Sequence, residues 1–204
     1  MSNSYNIQDF SKLNSRYQIH TILIATGVKK ICEVGVDHGW NLTNLCKCKP
    51  DIAVAIDLWD YSPYYEFYTK EFHEKNYREI MRRRLEENEC ILPIRLDSIK
   101  AAQIFQDKYF DFIYIDASHD YKSVKLNIET YWPKLDTGRY MSGHDYINGY
   151  KNIPAEKLRI KGDPVRCEFG VKQAVDEFVV KHNLELAVIK DENGIDSWVI
   201  QKQY

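Results

Sequence analysis

The feature that most restricts the fold of this chain is a series of five short apolar segments, each ending on an acidic or imidazole side chain. Each segment has the length of a buried strand, and helical patterns separate most of them. Strands that alternate with helices form right-handed βαβ units and a parallel sheet. The side chains at the segment ends are Glu33, Asp57, Asp97, Asp116, His119, His144 and Asp145. Because parallel strands end at one edge of a sheet, we expect these side chains to lie together.

The remaining patterns complete an α/β fold in one domain, residues 1–204. Apolar spacing predicts a helical cover within residues 1–27 and a helix from about Thr69 to Glu87. Near the carboxyl terminus, apolar residues alternate from Leu184 to Val188, a turn pair follows at Asn193-Gly194, and a second apolar run ends the pattern. This arrangement predicts an antiparallel hairpin at one edge of the sheet.

Composition excludes several classes of protein. A formal net charge of -2 argues against a nucleic-acid partner, which usually requires a basic excess. The 5 cysteines are odd in number and scattered, so a disulfide framework is not expected and a reducing, cytoplasmic location is. Neither a signal peptide nor a membrane-spanning apolar run is apparent. Association into a homo-oligomer stays open.

The first strand runs into a glycine-containing loop, residues 33–39, that predicts a ligand site. Gly35 and Gly39 allow the backbone to approach a ligand closely. A dinucleotide fingerprint would need glycine where Asp37 stands, and the acids Glu33 and Asp37 would repel a pyrophosphate. They suit a cationic ligand, such as a sulfonium that carries an amino group. Asp57, about 20 residues after the loop, is spaced to accept both hydroxyls of a ribose.

Two further pairs are candidates for the base of such a nucleoside. Asp97 and Ser98 follow the third strand and could meet an adenine edge, although Asp97 is equally suited to cap the next helix. Leu58 and Trp59 follow the ribose acid and could cover the adenine face. Packing in the core is an equally good interpretation of Leu58 and Trp59.

These segments together resemble class I methyltransferases, and most closely the metal-dependent small-molecule and sugar O-methyltransferases. The resemblance runs from about Lys29 to the end of the chain. It implies a Rossmann-like, mostly parallel seven-stranded sheet with helices on both faces and an antiparallel C-terminal hairpin. The residues that carry it are 33–39, 56–59, Asp111 to Tyr121, Trp132 to Tyr146 and Gly170 to Phe178.

The resemblance also implies a cofactor, a metal and roles for individual residues. The donor would be S-adenosylmethionine, with Asp116 at the cofactor and in catalysis. Asp116 and Asp145 would bind a divalent cation, Mg²⁺ or Mn²⁺, with His144 as a third ligand or a neighbour. His119 stands where related enzymes place a catalytic base, although the catechol-type pattern has lysine there. An exposed loop histidine and a structural His144–Asp145 pair are the alternatives.

The expected function is therefore O-methylation of a sugar hydroxyl, in a glycan or a glycosylated small molecule. Aromatic side chains before the second long helix suit sugar rings, and so does a long loop predicted from Tyr146 to Arg166. The aromatic residues are Tyr61, Tyr64, Tyr65, Phe67 and Tyr68. The alternatives are a phenolic acceptor, a cofactor-binding partner subunit without turnover and, more distantly, a nicotinamide dehydrogenase.

Overall fold

The computed structural model describes residues 5–60, 68–154, 165–191 and 194–203. Strands that alternate with helices account for most of these residues. The strands of the main sheet are β1 (Lys30–Val34), β2 (Ile52–Asp57), β3 (Ile91–Arg95), β4 (Phe110–Ile115), β5 (Leu135–Gly143), β8 (Leu186–Ile189) and β9 (Ser197–Gln201). The helices are α1 (Ile19–Ala25), α2 (Trp40–Leu45), α3 (Lys70–Glu86), α4 (Ser98–Ala102), α5 (Tyr121–Tyr131) and α6 (Val171–His182).

The seven strands lie in the order β3-β2-β1-β4-β5-β9-β8. The first five are mutually parallel, whereas β9 runs antiparallel to both β5 and β8. The predicted seven-stranded, mostly parallel sheet with a C-terminal hairpin is therefore confirmed. The order of strands reverses between β1 and β4, and open α/β sheets bind their ligands at such a switch point.

Helices cover both faces of the sheet, and the two faces hold separate cores. Alternate strand residues point to opposite faces, so Ile31 and Phe112 face α1, α2 and α3, while Cys32 and Ile113 face α4, α5 and α6. All four of these side chains are fully buried. This explains why the strands read as continuous apolar runs rather than as an alternation.

The amino-terminal stretch forms three short pieces rather than one continuous helix. Two 3₁₀ turns, Ile7–Lys12 and Arg16–Gln18, precede α1. The break falls at Leu13, whose backbone is extended, and Ser15 caps the second turn by accepting from the backbone of Tyr17. Short polar side chains that bond the local backbone favour such interruptions over a regular helix.

The segment predicted as a long loop from Tyr146 to Arg166 contains ordered structure. β6 (Asn148–Ile153) and β7 (Val165–Gly170) form a two-stranded antiparallel ribbon. The prediction of a loop was wrong at both ends of this segment, because lysine, asparagine and glycine weaken the alternation that identifies strands. Among the described helices, none has the length and apolarity needed to cross a membrane.

Candidate active site

A cavity of about 920 Å³ opens at the carboxyl ends of β1 to β4. This volume suits a nucleoside-sized ligand together with part of a second molecule. Its wall includes ten of the predicted site residues: Glu33, Gly35, Asp37, Asp57, Leu58, Asp97, Ser98, Asp116, His119 and Asp145. Gly39 and His144 are not part of this wall; Gly39 is the residue before α2 and packs against Ile80.

The glycine loop joins the ends of β1 and β4 at close range. Gly35 has a φ of 85°, which favours glycine, and its N–H donates to the carbonyl of Ile56 at 2.8 Å. A Cβ at this position would lie 2.2 Å from the carbonyl oxygen of Asp116 and 2.5 Å from the Cα of Ala117. Only glycine therefore allows the loop and the residues after β4 to form one continuous wall.

The carboxylate of Asp57 holds this loop in place. Its Oδ2 accepts the backbone N–H groups of Val36 and Asp37, both at 2.9 Å, and its Oδ1 accepts the N–H of Trp59 at 2.8 Å. Burial raises the pKa of Asp57, and these donors oppose the rise. A carboxylate offers about four acceptor positions, so one remains for a ligand hydroxyl.

Glu33 and Asn41 present two buried acceptors to the cavity. Glu33 is 1% exposed, and its Oε1 accepts from Asn41 Nδ2 at 3.2 Å. Within the described residues, Glu33 Oε2 and Asn41 Oδ1 are buried and have no hydrogen-bond partner. Burial raises the pKa of Glu33 well above its usual range, Asp116 adds to the rise, and Asn41 opposes it. Buried acceptors without donors are rare and costly, so this corner fits a ligand ammonium group.

The four candidates for an adenine site separate into different roles. Trp59 is 1% exposed, packs in the core and donates its Nε1–H to the carbonyl of Asp37 at 2.9 Å, and it also contributes to the cavity wall. Leu58 is 42% exposed and lines the cavity. Asp97 caps α4 by accepting from Ile99 and Lys100, and it also lines the cavity beside Ser98. The two roles weighed for Asp97 are therefore compatible.

Four titratable side chains meet at the ends of β4 and β5. His119 Nε2 lies 3.0 Å from Asp145 Oδ2 and 3.6 Å from Asp116 Oδ1. His144 Nδ1 lies 3.3 Å from Asp145 Oδ2 and 4.0 Å from Asp116 Oδ1. The sheet brings these residues together because β4 and β5 are neighbouring parallel strands. His119 is therefore part of a partly buried cluster and not an exposed loop histidine.

The charges of this cluster stabilise one another. Burial alone would lower the pKa of His119, but Asp145 and Asp116 outweigh it and raise this pKa to about 9. Burial would raise the pKa of Asp116, yet His119, His144 and Arg16 hold it well below its usual range. The pKa of Asp145 is also lowered, because His119 and His144 outweigh its burial. Both carboxylates are therefore ionised at neutral pH.

The donor set of the cluster fits a divalent cation. Asp116, His144 and Asp145 each offer a ligand atom, and these atoms lie within 4.8 Å of one another. Two carboxylates and one imidazole suit Mn²⁺ or a similar cation. Arg16 Nη1 lies 2.8 Å from Asp116 Oδ2 and, together with His119, contributes positive charge beside these carboxylates.

Three residues of the site were not predicted from the sequence. Arg16 reaches Asp116 from the amino-terminal stretch, and Asn41 bonds Glu33 from α2. The ring of Phe169, at the end of β7, stacks on His119 with centroids 5.3 Å apart and planes 7° from parallel. Arg16 and Phe169 belong to segments far from their partners in the chain, and no local pattern marks such contacts.

The predicted aromatic platform is described only in part. Tyr61, Tyr64, Tyr65 and Phe67 lie outside the described residues. Tyr68 lines the cavity and stacks on Phe72 with centroids 4.3 Å apart. Trp40, also in the cavity wall, is 55% exposed.

Comparison with known proteins agrees with this fold and site. The model of methyltransferase family 24, described as a methyltransferase domain, matches residues 32–146, more than half of the chain. No curated protein sequence gives a significant match. The chain belongs to this methyltransferase family, and it is an S-adenosylmethionine-dependent methyltransferase with the class I fold.

Solved structures with low sequence identity share the fold. A proposed caffeoyl-CoA O-methyltransferase from Staphylococcus aureus is 13% identical with a TM-score of 0.62, covering 91% of this chain and 82% of that one. An O-methyltransferase from Bacillus cereus in complex with SAH is 16% identical with a TM-score of 0.59, covering 91% and 78%. Spermidine synthase from Thermotoga maritima is 11% identical with a TM-score of 0.55, covering 97% and 60%. These likenesses concern the fold, which serves more than one reaction.

Proposed function

We propose that this protein transfers a methyl group from S-adenosylmethionine to a sugar hydroxyl, with a divalent cation held by Asp116, His144 and Asp145. The observation that carries the proposal is the distribution of charge along one cavity. Glu33 and Asn41, at the end of β1 and in α2, offer unpaired acceptors for the donor's ammonium group. The cluster of Asp116, His119, His144 and Asp145 lies at the ends of β4 and β5. A cationic donor and a hydroxyl acceptor would therefore bind to different side chains.

The chain's own residues supply positioning and a proton acceptor. S-adenosylmethionine, when bound, supplies an electrophilic methyl group on a sulfonium. The acceptor oxygen bonds to the methyl carbon as the carbon–sulfur bond breaks, the electron pair stays on sulfur, and the hydroxyl proton goes to His119. A divalent cation in the acidic cluster would lower the pKa of the acceptor hydroxyl.

The protonation state of His119 explains why this cluster suits a cation. With a pKa of about 9, His119 is protonated at neutral pH in the protein without a cation and cannot accept another proton. The carboxylates that raise this pKa are the same groups that would bind the cation. When their charge is shared with a cation, the neutral form of His119 becomes more populated.

The sugar acceptor is favoured by aromatic and polar groups along the cavity. Trp40 offers an exposed ring, and Lys151 and Asn152 of β6 offer hydrogen-bonding groups. Sugar rings stack their apolar faces on aromatic side chains and bond through their hydroxyls. A phenolic acceptor is the second candidate, because one neighbour in fold is described as a proposed caffeoyl-CoA O-methyltransferase.

Formation of S-adenosylhomocysteine tests this proposal against a panel of glycosides and catechols, with Mn²⁺, Mg²⁺ or EDTA present. We expect glycoside turnover that EDTA abolishes and added cation restores. Turnover of catechols alone would replace the sugar by the phenolic acceptor. Turnover that persists in EDTA would remove the cation from the proposal. Donor binding without any turnover would leave a cofactor-binding partner subunit, and absence of donor binding would overturn the proposal.

A further inference from the structure

Arg16 lines the cavity together with the two acceptors that we assign to the donor's ammonium group, Glu33 and Asn41. The residue precedes the part of the chain that the family model matches. Nη1 donates to Asp116 Oδ2 at 2.8 Å, and Nη2 lies 3.5 Å from the hydroxyl of Tyr17. A guanidinium has five N–H donors, so donors remain for a ligand.

The position of Arg16 is fixed by its surroundings. It begins a 3₁₀ turn that Ser15 caps, and the hydroxyl of Ser15 donates to Asp191 at 3.1 Å. Phe10 and Ile19, on either side of this turn, are fully buried in the core. The Arg16 side chain itself is 18% exposed. An arginine held in this way loses little entropy when it binds a planar anion.

The charges around Arg16 match an α-amino acid. Such a group carries an ammonium and a carboxylate on a single carbon, so its site needs an acceptor and a cation side by side. Glu33 Oε2 and Asn41 Oδ1 are the buried acceptors. The guanidinium of Arg16 is near enough to Glu33 to oppose the rise that burial and Asp116 cause in the pKa of Glu33. The acidic residues nearby offer nothing to a carboxylate, whereas Arg16 does.

We infer that Arg16 binds the α-carboxylate of S-adenosylmethionine and thereby selects it over donors that lack this group. The inference deepens the proposed function, since it concerns the donor end of the same cavity, and it requires no cation and no acceptor. It assigns the amino-terminal stretch a part in ligand recognition. Decarboxylated S-adenosylmethionine keeps the ammonium and the sulfonium but lacks the carboxylate, so it isolates the contribution of Arg16.

Calorimetric titration of both ligands into wild type, Arg16→Gln, Arg16→Lys and the remote control Arg78→Gln tests this assignment. A charge-assisted hydrogen bond corresponds to about 10- to 100-fold in affinity. We expect wild type and Arg78→Gln to prefer S-adenosylmethionine by this factor. Arg16→Gln should lose the preference through weaker binding of S-adenosylmethionine alone. Arg16→Lys should retain part of it, because lysine keeps the charge without the planar fork.

Three results would overturn the assignment. Equal weakening of both ligands in Arg16→Gln would indicate a structural role, and unchanged binding would exclude a contact. Equal or tighter binding of the decarboxylated ligand to wild type would also overturn it, without reliance on any variant. If neither ligand binds wild type, the donor site of the proposed function fails, which is distinguishable from failure at Arg16 alone. Thermal unfolding of each variant monitors the fold.

Discussion

The two ends of the cavity hold their acidic side chains in different ways. At the ends of β2 and β3, Asp57 and Asp97 accept hydrogen bonds from backbone N–H groups, those of the glycine loop for Asp57 and those of the first turn of α4 for Asp97. At the ends of β4 and β5, Asp116 and Asp145 contact basic side chains, namely His119, His144 and Arg16. We refer to these regions as the backbone-bonded end and the charge-paired end.

This difference suggests that one set of carboxylates maintains the structure of the cavity and the other takes part in the reaction. Carboxylates bonded to the backbone maintain the loops around a ligand, so they act as much on folding as on binding. Carboxylates paired with side chains can exchange their partners for a cation or a substrate without unfolding a loop. We therefore expect substitutions at the charge-paired end to remove turnover and leave the fold intact. Substitutions at the backbone-bonded end should change stability and donor affinity together.

The largest expected effect is at Asp145, which is 5% exposed and contacts both histidines. Asp145→Asn keeps the shape and removes the charge, so kcat/KM should fall by about 1000-fold because general-base and cation assistance are both lost. Donor affinity should stay within about threefold of wild type. Steady-state kinetics and calorimetry provide the two measurements. The exposed Asp107→Asn is the control. A large loss of donor affinity in Asp145→Asn would show that the charge-paired end also binds the donor, contrary to the expected division between the two ends.

The next largest effect is on folding, at the junction between the two ends. Gly35→Ala places a Cβ 2.2 Å from the carbonyl of Asp116 and should lower the free energy of unfolding by about 3 kcal/mol. Gly149→Ala is the matched control, since it has a φ of 87° but no atom within 4 Å, and it should cost about 1 kcal/mol. Urea unfolding compares them. Equal losses in the free energy of unfolding would mean that the backbone of Asp116 and Ala117 moves away from the added Cβ with no further loss of stability.

A smaller, double effect is expected at Asp57. Asp57→Asn replaces one acceptor oxygen by a donor that faces the backbone N–H groups of Val36 and Asp37. The free energy of unfolding should fall by about 1–2 kcal/mol and donor affinity by about tenfold, since both depend on the same carboxylate. Urea unfolding and calorimetry measure the two, with the exposed Asp51→Asn as control. A variant with lower donor affinity and unchanged stability would show that Asp57 belongs functionally with the charge-paired end.

The smallest effect is a pH dependence caused by Glu33. Its raised pKa means that the protein without ligand binds a proton there at pH values where the unfolded chain does not. Stability from this group is therefore present at low pH and declines as pH rises from the unfolded pKa to the folded one. A donor ammonium needs the charged form, so donor affinity should rise with pH by at most about tenfold per unit. Calorimetry should show proton release in wild type, whereas Glu33→Gln should show a flat profile.

The sequence predicted the acids at the strand ends better than the long-range contacts that surround them. Strand periodicity and the acids at strand ends depend on local spacing, and so the sheet and the convergence of Asp57, Asp97, Asp116 and Asp145 followed directly. Arg16 and Phe169 could not be predicted in the same way. Arg16 contacts Asp116 across a separation of 100 residues, and Phe169 reaches His119 through a ribbon whose strands lack clear alternation. Such contacts depend on packing between elements, which periodicity does not encode.

The buried amino-terminal stretch has a consequence for how the chain can be shortened. The family model begins at residue 32, but Phe10 is fully buried with its ring 4.9 Å from that of Tyr140, and Leu23 is fully buried on the same face. A chain trimmed to the matched region would lose Phe10 and Leu23 and would expose the sheet residues that they cover, such as Tyr140, at a cost of about 1.5–3 kcal/mol for each large side chain lost. The region that the family model matches is therefore smaller than the folded domain. We expect a fragment cut at the limits of that match to expose an apolar face and to aggregate.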